Sequence, residues 1–153
     1  MSDLRDLYQE LILDHGRRPR NFGPLPGATH DAIGHNPLCG DRITLHLKMN
    51  GDLVDGVSFE GQGCAISQAS ASLLTEAVRG RRLPEVLALF RKTTALVTGR
   101  DDDVAREDSV ELGKLAVFEG VRQYPMRVKC ATLAWHTLHN ALEGHATEVA
   151  KTE

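Results

Sequence analysis

The sequence predicts an α+β domain: a small antiparallel sheet of about three strands, covered on one face by helices. Three observations carry that prediction. Ile43, Leu45, Leu47 and Met49 alternate with Arg42, Thr44, His46 and Lys48, the period of a strand with one buried face. Asn50-Gly51 follows at once, the favoured pair for a type I′ hairpin turn. From Cys64 onward the apolar spacing turns helical. Strands first and helices afterwards give a layered α+β fold. A chain of 153 residues has room for one core, so 1–153 is expected to be a single domain, with 144–153 a frayed tail.

Taken in order, Leu4, Leu7, Tyr8, Leu11 and Ile12 recur at helical spacing, with Ser2 as an N-cap and Asp14-His15-Gly16 as the stop. His15 is read as closing that helix. Arg17 to Gly27, with prolines at 19, 24 and 26, is an irregular connector. Ala28 to His35 is expected to add a third strand. The hairpin returns along Leu53 to Glu60, with Val57 and Phe59 facing in. Ala65 to Arg79 is a helix ended by Gly80, and Leu83 to Thr98 is a second with Pro84 in its first turn. Gly99 to Asp108 is a polar loop, and Ser109 to Val121 is a third helix, closed by Tyr124-Pro125. Val128 to Leu142 is a fourth.

Composition narrows the function. Hydrophobic residues are 41% and charged residues 25%, close to the globular average. A net charge of -3 and 5% aromatics argue against a nucleic-acid binder. No apolar run approaches a membrane span, and acidic residues stand where a signal peptide needs positive charge. The chain is therefore expected to be cytoplasmic, with neither nucleic acid nor membrane as a partner.

The three cysteines, Cys39, Cys64 and Cys130, are an odd number, far apart, which points to free thiols or metal ligands rather than a disulfide framework. Each lies at an element junction flanked by glycine or charge. Arg127 and Lys129 precede Cys130 and favour its thiolate. As single residues, such cysteines also serve as small apolar filler. Three thiolates leave a tetrahedral zinc site one ligand short. Asp41, two residues from Cys39, can supply the fourth, and His35 competes for it; Asp41 can equally be a turn residue beside Gly40. His136 and His139, three apart on the last helix, are weaker candidates, read as flanking Trp135 at a solvated edge.

The runs Asn36-Pro-Leu-Cys-Gly-Asp41, Gly61-Gln-Gly-Cys-Ala-Ile-Ser67 and Lys129-Cys-Ala-Thr-Leu-Ala-Trp135 together resemble the IscU/NifU-type iron–sulfur cluster assembly superfamily. Tyr8 to His15 and Pro19 to Gly23 fit as well, so the resemblance covers essentially the whole chain. Lys129 stands where scaffold-type IscU proteins have a histidine, and the stretch between Cys64 and Cys130 is longer than theirs. Both features resemble the SufU branch.

The resemblance implies an IscU/NifU-like fold, a Zn²⁺ held by Cys39, Asp41, Cys64 and Cys130, and Arg127 and Lys129 as supporting residues. It implies that Cys39 accepts persulfide sulfur from a SufS-type cysteine desulfurase and passes it to downstream assembly machinery, as in a zinc-dependent sulfurtransferase. Zinc is then a fold staple and a store for the nucleophile, not an activator of water. Two other readings stay open: a scaffold assembling a transient Fe–S cluster on the same residues, and a structural zinc module for protein interaction.

Overall fold

A computed structural model describes residues 3–37, 40–98, 113–143 and 149–151. Its elements run α1 (Asp3–Arg17), β1 (His30–Asn36), β2 (Asp41–Asn50), β3 (Leu53–Gln62), α2 (Ala65–Val78), α3 (Leu83–Thr98), a 3₁₀ helix (Gly113–Gln123), α4 (Pro125–Leu142) and β4 (Val149–Lys151). The sheet order is β3-β2-β1-β4. β1, β2 and β3 form the expected antiparallel core of the sheet.

The alternation in β2 sets the two faces. Ile43, Leu45 and Leu47 are buried against α2 and α4, together with Val57 and Phe59 of β3 and Ala32 of β1. Asp41 stands in phase with them and is buried too. α4 crosses this face closely: a Cβ on Gly34 of β1 would run into Thr137 and Leu133. Residues of the opposite phase, such as Asp31, Thr44, His46 and Glu60, lie on the other face.

Both outer strands of the β1–β3 core have a further partner. Beside β3, the Gly23 N–H donates to the Phe59 carbonyl at 2.9 Å, and the Phe59 N–H donates to the Asn21 carbonyl at 3.0 Å. Beside β1, Val149–Lys151 pairs in parallel with Ile33–His35. This short strand falls inside the stretch read as a frayed tail. The unpaired edge groups of β1 give that stretch a template to add to.

The structure corrects the sequence reading at several points. α1 continues through His15 and Gly16 to Arg17. Gly16 is not a stop; it lets α1 approach Ala65 of α2, whose backbone would lie 3.1 Å from a Cβ there. The hairpin loop is Gly51-Asp52, since Asn50 pairs with Leu53, and only Gly51 has positive φ. That is the pattern of a II′ turn, because I′ needs positive φ at both central residues. Tyr124-Pro125 opens α4 rather than closing the previous helix: Tyr124 is its N-cap and Pro125 its first residue, where a missing N–H does no harm. The segment before it is a 3₁₀ helix over Gly113–Gln123. Leu115, Phe118 and Val121 are all buried at a spacing of three, the interval that 3₁₀ geometry stacks on one ridge. Ser2 and the expected Gly99–Asp108 loop lie outside the described residues, as do residues 109–112.

Candidate metal centre

The site forms where one end of the sheet meets α2 and α4. Asp41 begins β2 on the core face and is 1% exposed. Its Oδ1 accepts the Cys64 N–H at 2.9 Å, and its Oδ2 lies 3.9 Å from Cys64 Sγ. Cys64 is the N-cap of α2, where its sulfur accepts the Ser67 N–H at 3.4 Å. A helix N-terminus there favours negative charge on the sulfur. Cys130 sits in the second turn of α4 and is buried. It is not at a helix start, as its motif suggested, but in phase with the buried stripe of Ala134, Thr137 and Ala141.

Sγ of Cys64, Sγ of Cys130 and a carboxylate oxygen of Asp41 all lie within 4.8 Å of one another. Among the described residues this is the one group of three or more such ligands so arranged. Cys39, with Leu38, lies outside the described residues. Of the residues flanking them, the Gly40 N–H donates to the Asn36 carbonyl at 2.8 Å.

The glycines of Gly61-Gln62-Gly63 are explained by packing. Gly61 has φ +149, and a Cβ there would collide with the Arg42 carbonyl. A Cβ on Gly63 would stand 2.5 Å from Asp41 Oδ1. Only glycine lets the carboxylate reach the α2 N-terminus.

The electrostatics of the corner are strained. A hydrogen bond from the Cys130 thiol lowers the Cys64 pKa to about 6, helped by the Ser67 and Ile66 N–H groups and opposed by burial and Asp41. The same bond pushes the Cys130 thiol up, with burial and Asp41 acting in the same sense. Three acidic groups converge, and the two sulfurs are joined by that hydrogen bond. A cation relieves that repulsion more completely than a proton. Two soft sulfurs and a carboxylate oxygen are a fitting donor set for zinc, with a fourth position left for another ligand.

The other sequence candidates fall elsewhere. His35 has the phase opposite to Asn36 and so faces away from this corner. His136 and His139 pack on Phe90 of α3, with His139 stacked at a centroid distance of 4.9 Å. Trp135 is fully buried rather than at a solvated edge. His15 is 1% exposed, and its Nδ1 shares a hydrogen bond of 2.7 Å with Ser72 Oγ, so it ties α1 to α2 rather than ending a helix. Arg127 is exposed, with its guanidinium 4.8 Å from the centroid of the Tyr124 ring. Lys129 is half-buried, next to Cys130. Asn36 was not singled out from the sequence as a site residue. It is fully buried, and its Nδ2 donates to Cys130 Sγ at 3.9 Å. Its phase with Ala32 and Gly34 was the available signal: a polar residue on a core face needs a partner.

Fold and site together define an α+β protein with a cysteine–aspartate corner suited to a thiophilic metal. The family model of the NifU-like N-terminal domain matches residues 7–131, and the chain belongs to that family. It is 40% identical over 144 residues to the zinc-dependent sulfurtransferase SufU of Bacillus subtilis (strain 168), covering 92% of each chain. It is 38% identical over 146 residues to the iron–sulfur cluster assembly scaffold protein IscU of Streptococcus pyogenes serotype M1, covering 95% of this chain and 89% of that one. A solved structure from Fervidobacterium islandicum AW-1, described as a candidate iron–sulfur cluster assembly scaffold protein for the SUF system, matches with a TM-score of 0.79 at 36% identity, covering 90% of this chain and 98% of that one. The chain is therefore of the IscU/NifU/SufU type, as its motifs implied. No helix among the described residues is long and apolar enough to cross a membrane.

Proposed function

We propose that this chain serves iron–sulfur cluster assembly as a zinc-holding sulfur acceptor in the cytoplasm. Asp41, Cys64 and Cys130 hold the metal with Cys39 as the fourth ligand, and Cys39 is the residue that carries sulfur. The observation that supports this most is the convergence of two sulfurs and a carboxylate oxygen within 4.8 Å. The identity to a relative named a zinc-dependent sulfurtransferase supports zinc as the metal. Zinc, when bound, keeps its cysteine ligands deprotonated at neutral pH and holds the corner folded.

The chain's own residues account for the rest. Asp41 Oδ1 is engaged by the Cys64 N–H, which orients the carboxylate and leaves Oδ2 toward the sulfurs. Cys64 and Cys130 are fixed by α2 and α4. Cys39 stands between Asn36 and Gly40 in the sequence, and Gly40 has φ +75 with open space where a Cβ would be. Sulfur moves by thiol exchange. The Cys39 thiolate attacks the outer sulfur of a persulfide on a SufS-type cysteine desulfurase. The S–S bond of that persulfide breaks, the desulfurase cysteine leaves as a thiolate, and Cys39 becomes the persulfide. Downstream assembly machinery then takes the sulfur. Lys129, and Arg127 at the rim, supply positive charge for the thiolate and persulfide.

The test is to incubate the zinc-analysed protein with desulfurase and cysteine, then map the one-sulfur mass increment by peptide mass spectrometry without reductant. Zinc near one per chain and an adduct on Cys39 are expected. An adduct on Cys64 or Cys130 with Cys39 unmodified would refute the assignment. A coloured protein containing iron and sulfide would favour the scaffold reading.

A further inference from the structure

We infer that Asn36 is a positioning residue for this site, holding the Cys130 sulfur in the metal corner through its side chain while its main chain ties Gly40, the neighbour of Asp41, to the end of β1. The inference rests on the zinc reading above and extends it to a residue outside the ligand set.

Four observations carry it. Asn36 is 0% exposed, on the core face of β1 in phase with Ala32 and Gly34. A buried carboxamide is unfavourable there unless its polar atoms are engaged. Its Nδ2 donates to Cys130 Sγ at 3.9 Å, across 94 residues of sequence. In the sheet register Asn36 stands directly opposite Asp41. Its carbonyl accepts the Gly40 N–H at 2.8 Å, so the same residue ties the end of β1 to the start of β2. One side chain and one carbonyl thus join β1 to the segments that carry Cys130 and Asp41.

The chemistry gives the contact a direction. A neutral thiol is a weak acceptor, and sulfur carrying negative charge is a better one. A metal-bound thiolate keeps much of that charge. The amide of Asn36 is therefore better satisfied when Cys130 is bound to metal than when it is a free thiol. The carboxamide favours the loaded site and fixes the direction of the Cys130 sulfur, as outer partners do in other metal centres.

The experiment compares wild type with Asn36→Ala and Asn36→Ser. Zinc affinity is measured by competition with a chromogenic chelator. The near-ultraviolet sulfur-to-metal charge-transfer bands are recorded on Co²⁺-substituted protein. Melting temperatures are taken with and without zinc, and folding is checked by far-ultraviolet circular dichroism. Folded variants are expected to lose zinc affinity by about ten- to a hundredfold. Their charge-transfer bands should shift, and the zinc-loaded melting temperature should fall further than the metal-free one. Folded variants with wild-type affinity and unchanged bands would overturn the inference. So would an equal fall in both melting temperatures, or the failure of both variants to fold, since either marks Asn36 as purely structural. If wild type itself takes up no zinc, the zinc reading fails first and the inference falls with it.

Discussion

On the solvent face of the sheet His46 lies between Asp31 and Glu60, while on the core face, at one end, Asp41 lies with two cysteines. Both clusters contain three titratable side chains drawn from different elements. On the solvent face, His46 Nδ1 is 2.5 Å from Asp31 Oδ1 and its Nε2 is 2.8 Å from Glu60 Oε1. Protonated imidazole donates from both nitrogens, so each charge finds its opposite. In the corner, all three groups become negative when they ionise. A set of unlike charges closes on itself and staples strands. A set of like acids brought together is unfavourable until something positive joins it, which makes the corner a site and the His46 cluster a brace.

Removing a corner ligand should have the largest effect. Cys64→Ser or Cys130→Ser should lose most bound zinc, read by elemental analysis. Zinc at a thousandfold its Kd stabilises by about 4 kcal/mol, so the melting temperature should drop by roughly 8–16 °C in a chain of this size. Full zinc content and unchanged melting in either variant would return that cysteine to the role of core filler.

A smaller effect comes from the backbone that shapes the corner. Gly61→Ala meets both a left-handed φ and the Arg42 carbonyl, whereas Gly40 has φ +75 with no atom within 4 Å of a Cβ. Gly61→Ala should destabilise by about 2–5 kcal/mol and Gly40→Ala by about 1–2 kcal/mol, measured by denaturant midpoints. Equal losses would mean that the close approach of β3 to β2 at this end is not what requires glycine.

The contrast between the clusters was only half legible in the sequence. Asp41 and Cys64 announce themselves through short runs with glycine, Cys130 through the charges of Arg127 and Lys129 before it, and the period of β2 already places Asp41 in phase with Ile43. The partners of Asn36 and His46 do not. Asn36 meets Cys130 only because α4 crosses β1 at Gly34, and His46 meets Asp31 only through the β1–β2 register. Crossing and register are tertiary facts with no local pattern. The 3₁₀ helix was missed for another reason: buried residues three apart also fit an α-helix, and only the packed backbone decides between them.

His15 tests whether a titratable group outside both clusters behaves as structure alone. Burial lowers its pKa from 6.5, and Arg20 acts in the same sense against Glu76 and Asp14. The unfolded chain then binds a proton near pH 6.5 that the folded chain takes up only at lower pH. Stability should therefore fall as pH drops below about 6.5. His136, also lowered by burial and by His139, contributes in the same direction. His15→Gln should flatten part of the loss between about pH 7 and pH 5, read by melting temperature at constant ionic strength. A pH profile identical to wild type would mean that the buried ring gains its proton without penalty.

The smallest effect belongs to the brace, and its sign is opposite. Burial disfavours the charge on His46, but the hydrogen bonds to Asp31 and Glu60 outweigh it and raise the pKa above 6.5. A raised histidine stabilises the fold fully below its unfolded pKa and loses that contribution as pH climbs through the folded one. Asp31 and Glu60 are 58% and 45% exposed, so solvent screens both pairs. Asp31→Asn should thus destabilise by at most about 1 kcal/mol at pH 6, and by less at pH 9. Raising the salt to about 1 M, where the Debye length is near 3 Å, should shrink the difference further. Zinc content should not change, because the pair stands on the face away from the corner. A loss of zinc in Asp31→Asn would show that the two faces are coupled through β1 and β2, and the separation of site from brace would have to be abandoned.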